Sequence, residues 1–230
     1  VRANLALLVA KLAALRTDAG PIDLAMTTNA ASLRLVAQRL HDAGLRRVNI
    51  SLDSLRPERF AEMTRRDELH RVLDGIAAAQ EAGFDPVKIN TVVQRDVNDD
   101  EIVELARFGR ERGVEVRFIE WMPRDASGRW DGRAVVGQDE IVARIHEVFP
   151  LEQLPARGAA PADRWRFLDG AGTVGVIPSV TKPFCGDCDR VRLTADGQLR
   201  TCLFATDEFD LRAAMRRGES DAELADRMAR

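Results

Sequence analysis

The sequence lacks any apolar run of about 18 residues or more, the length a helix needs to cross a bilayer, so no membrane span is expected. It also lacks a strong charge of either sign: 34 Lys and Arg stand against 37 Asp and Glu, a formal net charge of −3. No bulk field therefore recruits nucleic acid or a membrane surface, and any anionic ligand must be held by a local cluster of Arg and Lys. Cysteine is scarce, three in 230 residues and an odd number. Two of the three form a C-x-x-C, which favours reduced thiols in a cytoplasmic protein over a disulfide framework. The chain has neither an initiator Met nor a basic leader, and Lys11 interrupts its apolar start. The first residues therefore read as an amphipathic helix inside a longer protein, not as a signal peptide.

What is present suits a globular chain with a substantial core: 45% hydrophobic and 31% charged residues. Up to about residue 150 helical and strand patterns alternate. Helices are expected over 4–15, 32–43, 57–63, 69–82, 99–112 and 139–148, and strands over 22–28, 47–52, 87–93 and 115–122. Ser32 reads as an N-cap, and Gly44, Gly83 and Gly113 read as stops. This succession implies α/β architecture with a parallel sheet, open or curled into a barrel. Residues 125–136 and 154–163 are rich in Gly, Ala and Pro and read as loops. Beyond residue 150 the strands shorten, to 164–168, 174–177 and 191–194, and two helices follow over 211–217 and 221–229. The expected division is a first domain over 1–150 and a small α+β extension over 151–230. Asp196-Gly197 predicts a hairpin in which 190–194 pairs with 198–202.

Side chains on a strand alternate between faces. Val48, Ile50 and Leu52 share one face, leaving Asn49, Ser51 and Asp53 on the other. Val87, Ile89 and Thr91 oppose Lys88 and Asn90, and Phe118, Glu120 and Met122 alternate with Arg117, Ile119 and Trp121. Thr27 and Asn29 share a face at the end of the first strand. A covered parallel strand is expected to be apolar on both faces, yet four in succession carry polar groups. Such groups can hydrogen-bond one another at wet strand ends. Four together point instead to a polar ligand site at the C-terminal ends of the strands.

All three cysteines fall in FCGDCDRVRLTADGQLRTCLF, as Cys185, Cys188 and Cys202. The spacing suits a metal or cluster: C-x-x-C presents two sulfurs from one turn, and the hairpin returns the third. Three identities stay open, namely zinc completed by a histidine, a disulfide with one thiol over, and an iron–sulfur cluster with one open iron. Arg190 and Arg192, at i and i+2, would present two guanidinium groups on one side, suited to phosphate. His41, His70 and His146 fall on helices as surface or packing residues, and Trp121, Trp130 and Trp165 read as packing.

Taken in order, TTNA, RVNISLDSL, PVKIN, RFIEWMP and the cysteine stretch closely resemble the GTP 3′,8-cyclase family, molybdenum cofactor biosynthesis protein A, of the radical S-adenosylmethionine superfamily. The resemblance implies an incomplete, TIM-like α/β barrel of roughly six units with a C-terminal extension. It implies an N-terminal [4Fe-4S] cluster that cleaves S-adenosylmethionine, giving a radical that removes a hydrogen from C3′ of GTP before ring closure onto C8 of guanine. The product is 3′,8-cyclo-7,8-dihydro-GTP, the first step of molybdenum cofactor biosynthesis. Cys185, Cys188 and Cys202 would hold a second [4Fe-4S] cluster whose open iron meets the guanine. Thr27, Lys88, Arg117, Arg190, Val191 and Arg192 would contact GTP, and Ser51 and Met122 S-adenosylmethionine. Implied partners are a downstream cyclic pyranopterin monophosphate synthase and a second copy in a homodimer. The family's upstream C-x₃-C-x₂-C motif, its Gly-Gly-Glu-Pro segment and its C-terminal Gly-Gly tail are not in this sequence, so it reads as an interior fragment, inactive alone. The rival readings are a non-enzymatic Cys₃His zinc module and a different radical enzyme with an auxiliary cluster.

Overall fold

The computed structural model describes residues 3–122, 132–155, 158–205 and 209–229. Of the features expected from the sequence, Trp130, Pro123 and most of the 125–136 loop lie outside these residues. Internal packing divides the chain into two units, Val1–Phe184 and Cys185–Arg230.

In the first unit five strands lie parallel: β1 (Ala25–Thr28), β2 (Arg47–Ser51), β3 (Val87–Val93), β4 (Glu115–Glu120) and, after two intervening strands, β7 (Thr173–Ile177). The intervening β5 (Leu151–Gln153) and β6 (Asp163–Phe167) extend the edge antiparallel, giving the order β1-β2-β3-β4-β7-β6-β5. The fold is thus mixed α/β with a predominantly parallel sheet. The unit boundary at 184/185 falls later than the change of period at residue 150, because the strands beyond 150 complete the main sheet.

Helices connect the parallel strands: α1 (Leu5–Ala13) precedes β1, α2 (Ala37–Asp42) follows it, and α3 (Pro57–Thr64) and α4 (Leu69–Glu81) follow β2. Then α5 (Ile102–Arg112) follows β3 and α6 (Gln138–Val148) follows β4. The buried stripe of α4 is Leu69, Val72, Ile76 and Ala79, at helical spacing. Likewise α5 buries Ile102, Leu105, Ala106 and Gly109. A Cβ on Gly109 would stand 2.7 Å from Val116 Cγ2, so glycine lets α5 press onto β4. The α5 helix stops at Gly113, whose φ of +66° a side chain rarely adopts. The apolar strand face of Val48, Ile50, Ile89, Val116, Phe118, Val174 and Val176 joins these helices in one core. Burial of each large side chain there contributes about 1.5–3 kcal/mol.

Two expectations are corrected. The stretch 32–43 is a 3₁₀ turn, Leu33–Leu35, followed by α2, and Ser32 makes no side-chain cap. Its polar N-cap signal loses to the apolar anchors Leu33, Ala37 and Leu40, all buried. A two-residue hairpin, Arg16–Thr17 with Gly20–Pro21, lies before β1, where the pattern showed no strand.

The second unit is a three-stranded antiparallel sheet, β8 (Arg192–Leu193), β9 (Gln198–Arg200) and β10 (Phe209–Asp210), followed by α7 (Leu211–Arg216) and α8 (Asp221–Ala229). The Asp196-Gly197 turn is present, with Thr194 N–H donating to Gln198 O at 2.9 Å and Gly197 at φ +87°. The ladder is shorter than expected: Arg190, Val191, Thr201 and Cys202 lie beyond it. Asp210 caps α7, its side chain accepting from Ala213 N–H at 2.8 Å.

Candidate functional site

Parallel register fixes which side chains share the sheet face away from the helical core. Thr27 pairs with Asn49, Asn49 with Lys88, and Lys88 with Glu115. The next row runs Ser51, Asn90, Arg117, Gly175 and Arg164. Thr27 is exposed; Asn49, Ser51, Lys88, Asn90 and Arg117 are half-buried. The alternation read from the sequence therefore holds along β2, β3 and β4, and a polar, partly open face results. Gly175 leaves room for it: a Cβ there would stand 3.2 Å from Arg117 Cγ.

The cationic part of this face is organised by one carboxylate. Glu115 accepts from Arg117 Nε at 2.8 Å, Arg164 Nε at 2.7 Å and Thr173 Oγ1 at 2.7 Å, and Lys88 Nζ lies 4.0 Å away. Burial alone would raise the Glu115 pKa, but the hydrogen bonds from Thr173 and Arg117 outweigh it and hold the carboxyl below the usual range. Burial and the Arg117 charge push Lys88 below the ordinary lysine range, with Glu115 pulling the other way. Three cations against one carboxylate leave the cluster positive, as an anion site requires. It adjoins a cavity of ≈ 810 Å³ lined by Lys88, Arg110, Glu115, Arg164 and Thr173, among others.

The position corrects the sequence reading. Lys88 is the second residue of β3 and Glu115 the first of β4, so the charges gather toward the N-terminal ends of the strands. The C-terminal ends carry no cluster of cations among the described residues and are tied together by hydrogen bonds. Asp53 accepts from Val92 N–H at 2.8 Å, and its burial raises its pKa. Buried Asn98 donates to Asp53 O at 2.8 Å and Val92 O at 2.9 Å. For Asp53 the bland reading of mutually bonded strand ends is the right one. Ser51 and Asn29 line a cavity of ≈ 140 Å³ beside Asp53 and Thr64. Asn90 Oδ1, opposite Ser51, is buried without a hydrogen-bond partner among the described residues, an acceptor that a ligand hydroxyl or amine could satisfy.

Met122 is half-buried just past β4. The preceding Glu120 is fully buried and accepts from Gln138 N–H at 2.8 Å, Val180 N–H at 2.8 Å, Thr181 N–H at 2.7 Å and the Thr181 hydroxyl. It ties the end of β4 to the start of α6 and to the segment that leads toward Cys185.

In the second unit Cys185, Cys188 and Cys202 are free and exposed. Cys185 and Cys188 share one 3₁₀ turn, closed by Cys188 N–H donating to Cys185 O at 3.4 Å. Arg192 pairs with Arg200, and Arg190 and Cys202 each lie two residues beyond that pair along the chain. Arg190 Nη1 lies 3.7 Å from Cys188 Sγ, and Arg192 Nη1 is shielded from solvent without a hydrogen-bond partner among the described residues. Three free thiols are soft ligands suited to an iron–sulfur cluster. Among the described residues no three His, Cys, Asp or Glu side chains are already gathered around one centre. Of the histidines, His41 packs edge-on against Phe84, His70 is exposed, and His146 accepts from Leu151 N–H at 3.1 Å.

Residues 114–230 match the model of the family described as Molybdenum Cofactor Synthesis C. The chain belongs to that family. Residues 1–109 match the radical SAM superfamily. Curated relatives named GTP 3′,8-cyclase include proteins from Streptomyces coelicolor (51% identical, covering 88% of this chain and 60% of the relative), Corynebacterium glutamicum strain R (48%; 98% and 62%) and Xanthomonas campestris pv. campestris (47%; 95% and 64%). The chain thus spans about three fifths of the relatives' length. A solved structure of TYW1 with a lysine-pyruvate adduct aligns over 58% of this chain and 43% of that one at TM-score 0.42 and 14% identity, too distant to bear on chemistry. In this member of the molybdenum cofactor synthesis family, Glu115, Arg164, Thr173 and Glu120 were not singled out as site residues from sequence. The signal for Glu115 was a charge at the start of a buried strand, but its partner Arg164 lies 49 residues away.

Proposed function

We propose that this chain is the GTP-binding part of a GTP 3′,8-cyclase, carrying the nucleotide cations in its first unit and the auxiliary-cluster cysteines in its second. The observation that carries the reading is the positive cluster of Lys88, Arg117 and Arg164 on a half-open sheet face of a chain in this family. Lys88 and Arg117 bind phosphate oxygens, Arg117 through a planar guanidinium and Lys88 as a point charge. Thr27 lies on the same face as a further nucleotide contact. Ser51 and Met122, toward the C-terminal ends of β2 and β4, bind S-adenosylmethionine. The face then runs from hydrogen-bonding and acidic groups, which suit that sulfonium cation, to cations, which suit a triphosphate. The sheet forms part of an incomplete barrel.

In the second unit Cys185, Cys188 and Cys202 hold a [4Fe-4S] cluster, and Arg190, Val191 and Arg192 are nucleotide contacts. When bound, the cluster supplies an iron with a coordination position that no cysteine fills. S-adenosylmethionine and a further cluster, held by an upstream segment, supply the radical chemistry of the superfamily. This chain's own residues bind the triphosphate and hold the ribose in place for hydrogen removal. The product passes to cyclic pyranopterin monophosphate synthase in the cytoplasm.

Anaerobic reconstitution with iron and sulfide tests the cluster. The brown protein is expected to hold about four irons per chain at the cysteine site, and Cys202→Ser to lower that number. Colourless protein with a single zinc, or iron content indifferent to Cys202→Ser, would overturn the reading.

A further inference from the structure

The three cations of the first unit do not stand independently. Each meets the same carboxylate, and that carboxylate is itself buried. We infer that Glu115 is a positioning residue for anion binding: it holds Arg117 and Arg164 in one plane of approach and keeps Lys88 charged between them, so that the three act as one phosphate site. The inference rests on the nucleotide reading above and adds Glu115 and Arg164 to it.

The geometry gives each contact a task. Arg117 and Arg164 come from different strands, β4 and β6, and each spends its Nε on a different Glu115 oxygen, Oε1 and Oε2. Arg164 Nη2 also meets Oε2 at 2.7 Å, so Glu115 holds that guanidinium through two nitrogens and its remaining Nη group is set in a fixed direction. Thr173 on β7 donates to Oε2 and also accepts from Arg164 Nη2 at 3.2 Å, which fixes the carboxylate plane. Without Glu115, like charges would stand together on one face with nothing to offset them, and long side chains so placed splay apart. The charges facing Lys88 are Glu115 and Arg117 of β4, Arg164 of β6 and Arg47 of β2. Of these only Glu115 favours the protonated amine. A lysine that must be charged to bind phosphate loses that function as pH rises through its depressed pKa. Removing Glu115 lowers that pKa further, so phosphate binding is lost at a lower pH.

The test uses calorimetric titration of GTP, guanosine and inorganic triphosphate into anaerobically reconstituted protein across pH 7 to about 10, the range in which a depressed lysine titrates. Glu115→Gln is expected to weaken GTP and triphosphate binding about tenfold, the cost of roughly one charge-assisted contact. It should leave guanosine unaffected and move the alkaline loss of GTP affinity to lower pH. Glu115→Asp should recover part of the affinity. Thr173→Val, which removes one hydrogen bond to the carboxylate and no charge, should cause a smaller loss and carries the test if Glu115→Gln does not fold. Unchanged GTP affinity and pH profile in these variants, with Arg117→Ala still weakening GTP, would overturn the role of Glu115 and leave the nucleotide site standing. An Arg117→Ala protein that binds GTP as before would overturn the nucleotide site itself. An equal loss for guanosine and GTP would mean that Glu115 merely supports the fold.

Discussion

Glu120 shows what one buried carboxylate can do. It takes three backbone N–H groups and one hydroxyl from two separate segments. Truncating it leaves the buried Gln138 N–H and the part-buried donors of Val180 and Thr181 unmet, and each such group that water does not reach costs about 1–3 kcal/mol. Glu120→Ala is therefore expected to destabilise the first unit by about 3 kcal/mol or more in urea unfolding, because the orphaned donors lie in different elements. A loss under about 1 kcal/mol would mean that water reaches them. Glu101 works in the same way at the end of β2, accepting from Ser54 Oγ, Leu55 N–H and Arg59 Nη1, each at 2.7 Å. These carboxylates fix the frame that carries Ser51 and Met122. Their roles were hidden in the sequence because an acid on a strand or helix reads as solvated until its distant donors are placed around it.

Among elements, the strand faces were the most legible feature. Period two separated Val48 and Ile50 from Asn49 and Ser51, and Ile89 from Lys88 and Asn90, and the structure keeps that division. Depth along the sheet was not legible. Only the register of Lys88 with Glu115 shows that the cations lie toward the N-terminal ends, and register between strands is a tertiary property. Short edge strands were also missed. In β5, Glu152 and Gln153 are both exposed, so no apolar alternation marks it. The hairpin of the second unit was readable from Asp196-Gly197, because that turn needs a positive φ. Gly197 has a second reason to be glycine: a Cβ there would stand 2.6 Å from Arg212 Cβ. Gly197→Ala is thus expected to cost about 1–2 kcal/mol from the left-handed backbone alone, more with the clash. Hydrogen exchange at Thr194 and Leu199 should quicken in that variant while exchange in α5 stays unchanged. Unchanged protection at the hairpin would show that the turn can relax.

For the molecule as a whole, the residues divide their work by unit. The first supplies a parallel sheet whose core face is closed by helices and whose other face is polar. The second supplies three free thiols on a short hairpin scaffold. None of the described helices is long and apolar enough to cross a membrane. The near-neutral net charge makes the local cluster of Lys88, Arg117 and Arg164 the decisive electrostatic feature, since no general field assists it. The most direct test of the account is therefore a comparison of GTP with guanosine, titrated into the anaerobically reconstituted protein at low and at moderate salt. The account predicts that GTP binds at least about tenfold more tightly than guanosine and that the difference shrinks as salt rises, since both follow from phosphate held by cations on a half-open face. Equal affinity for the two, or a preference indifferent to salt, would contradict it.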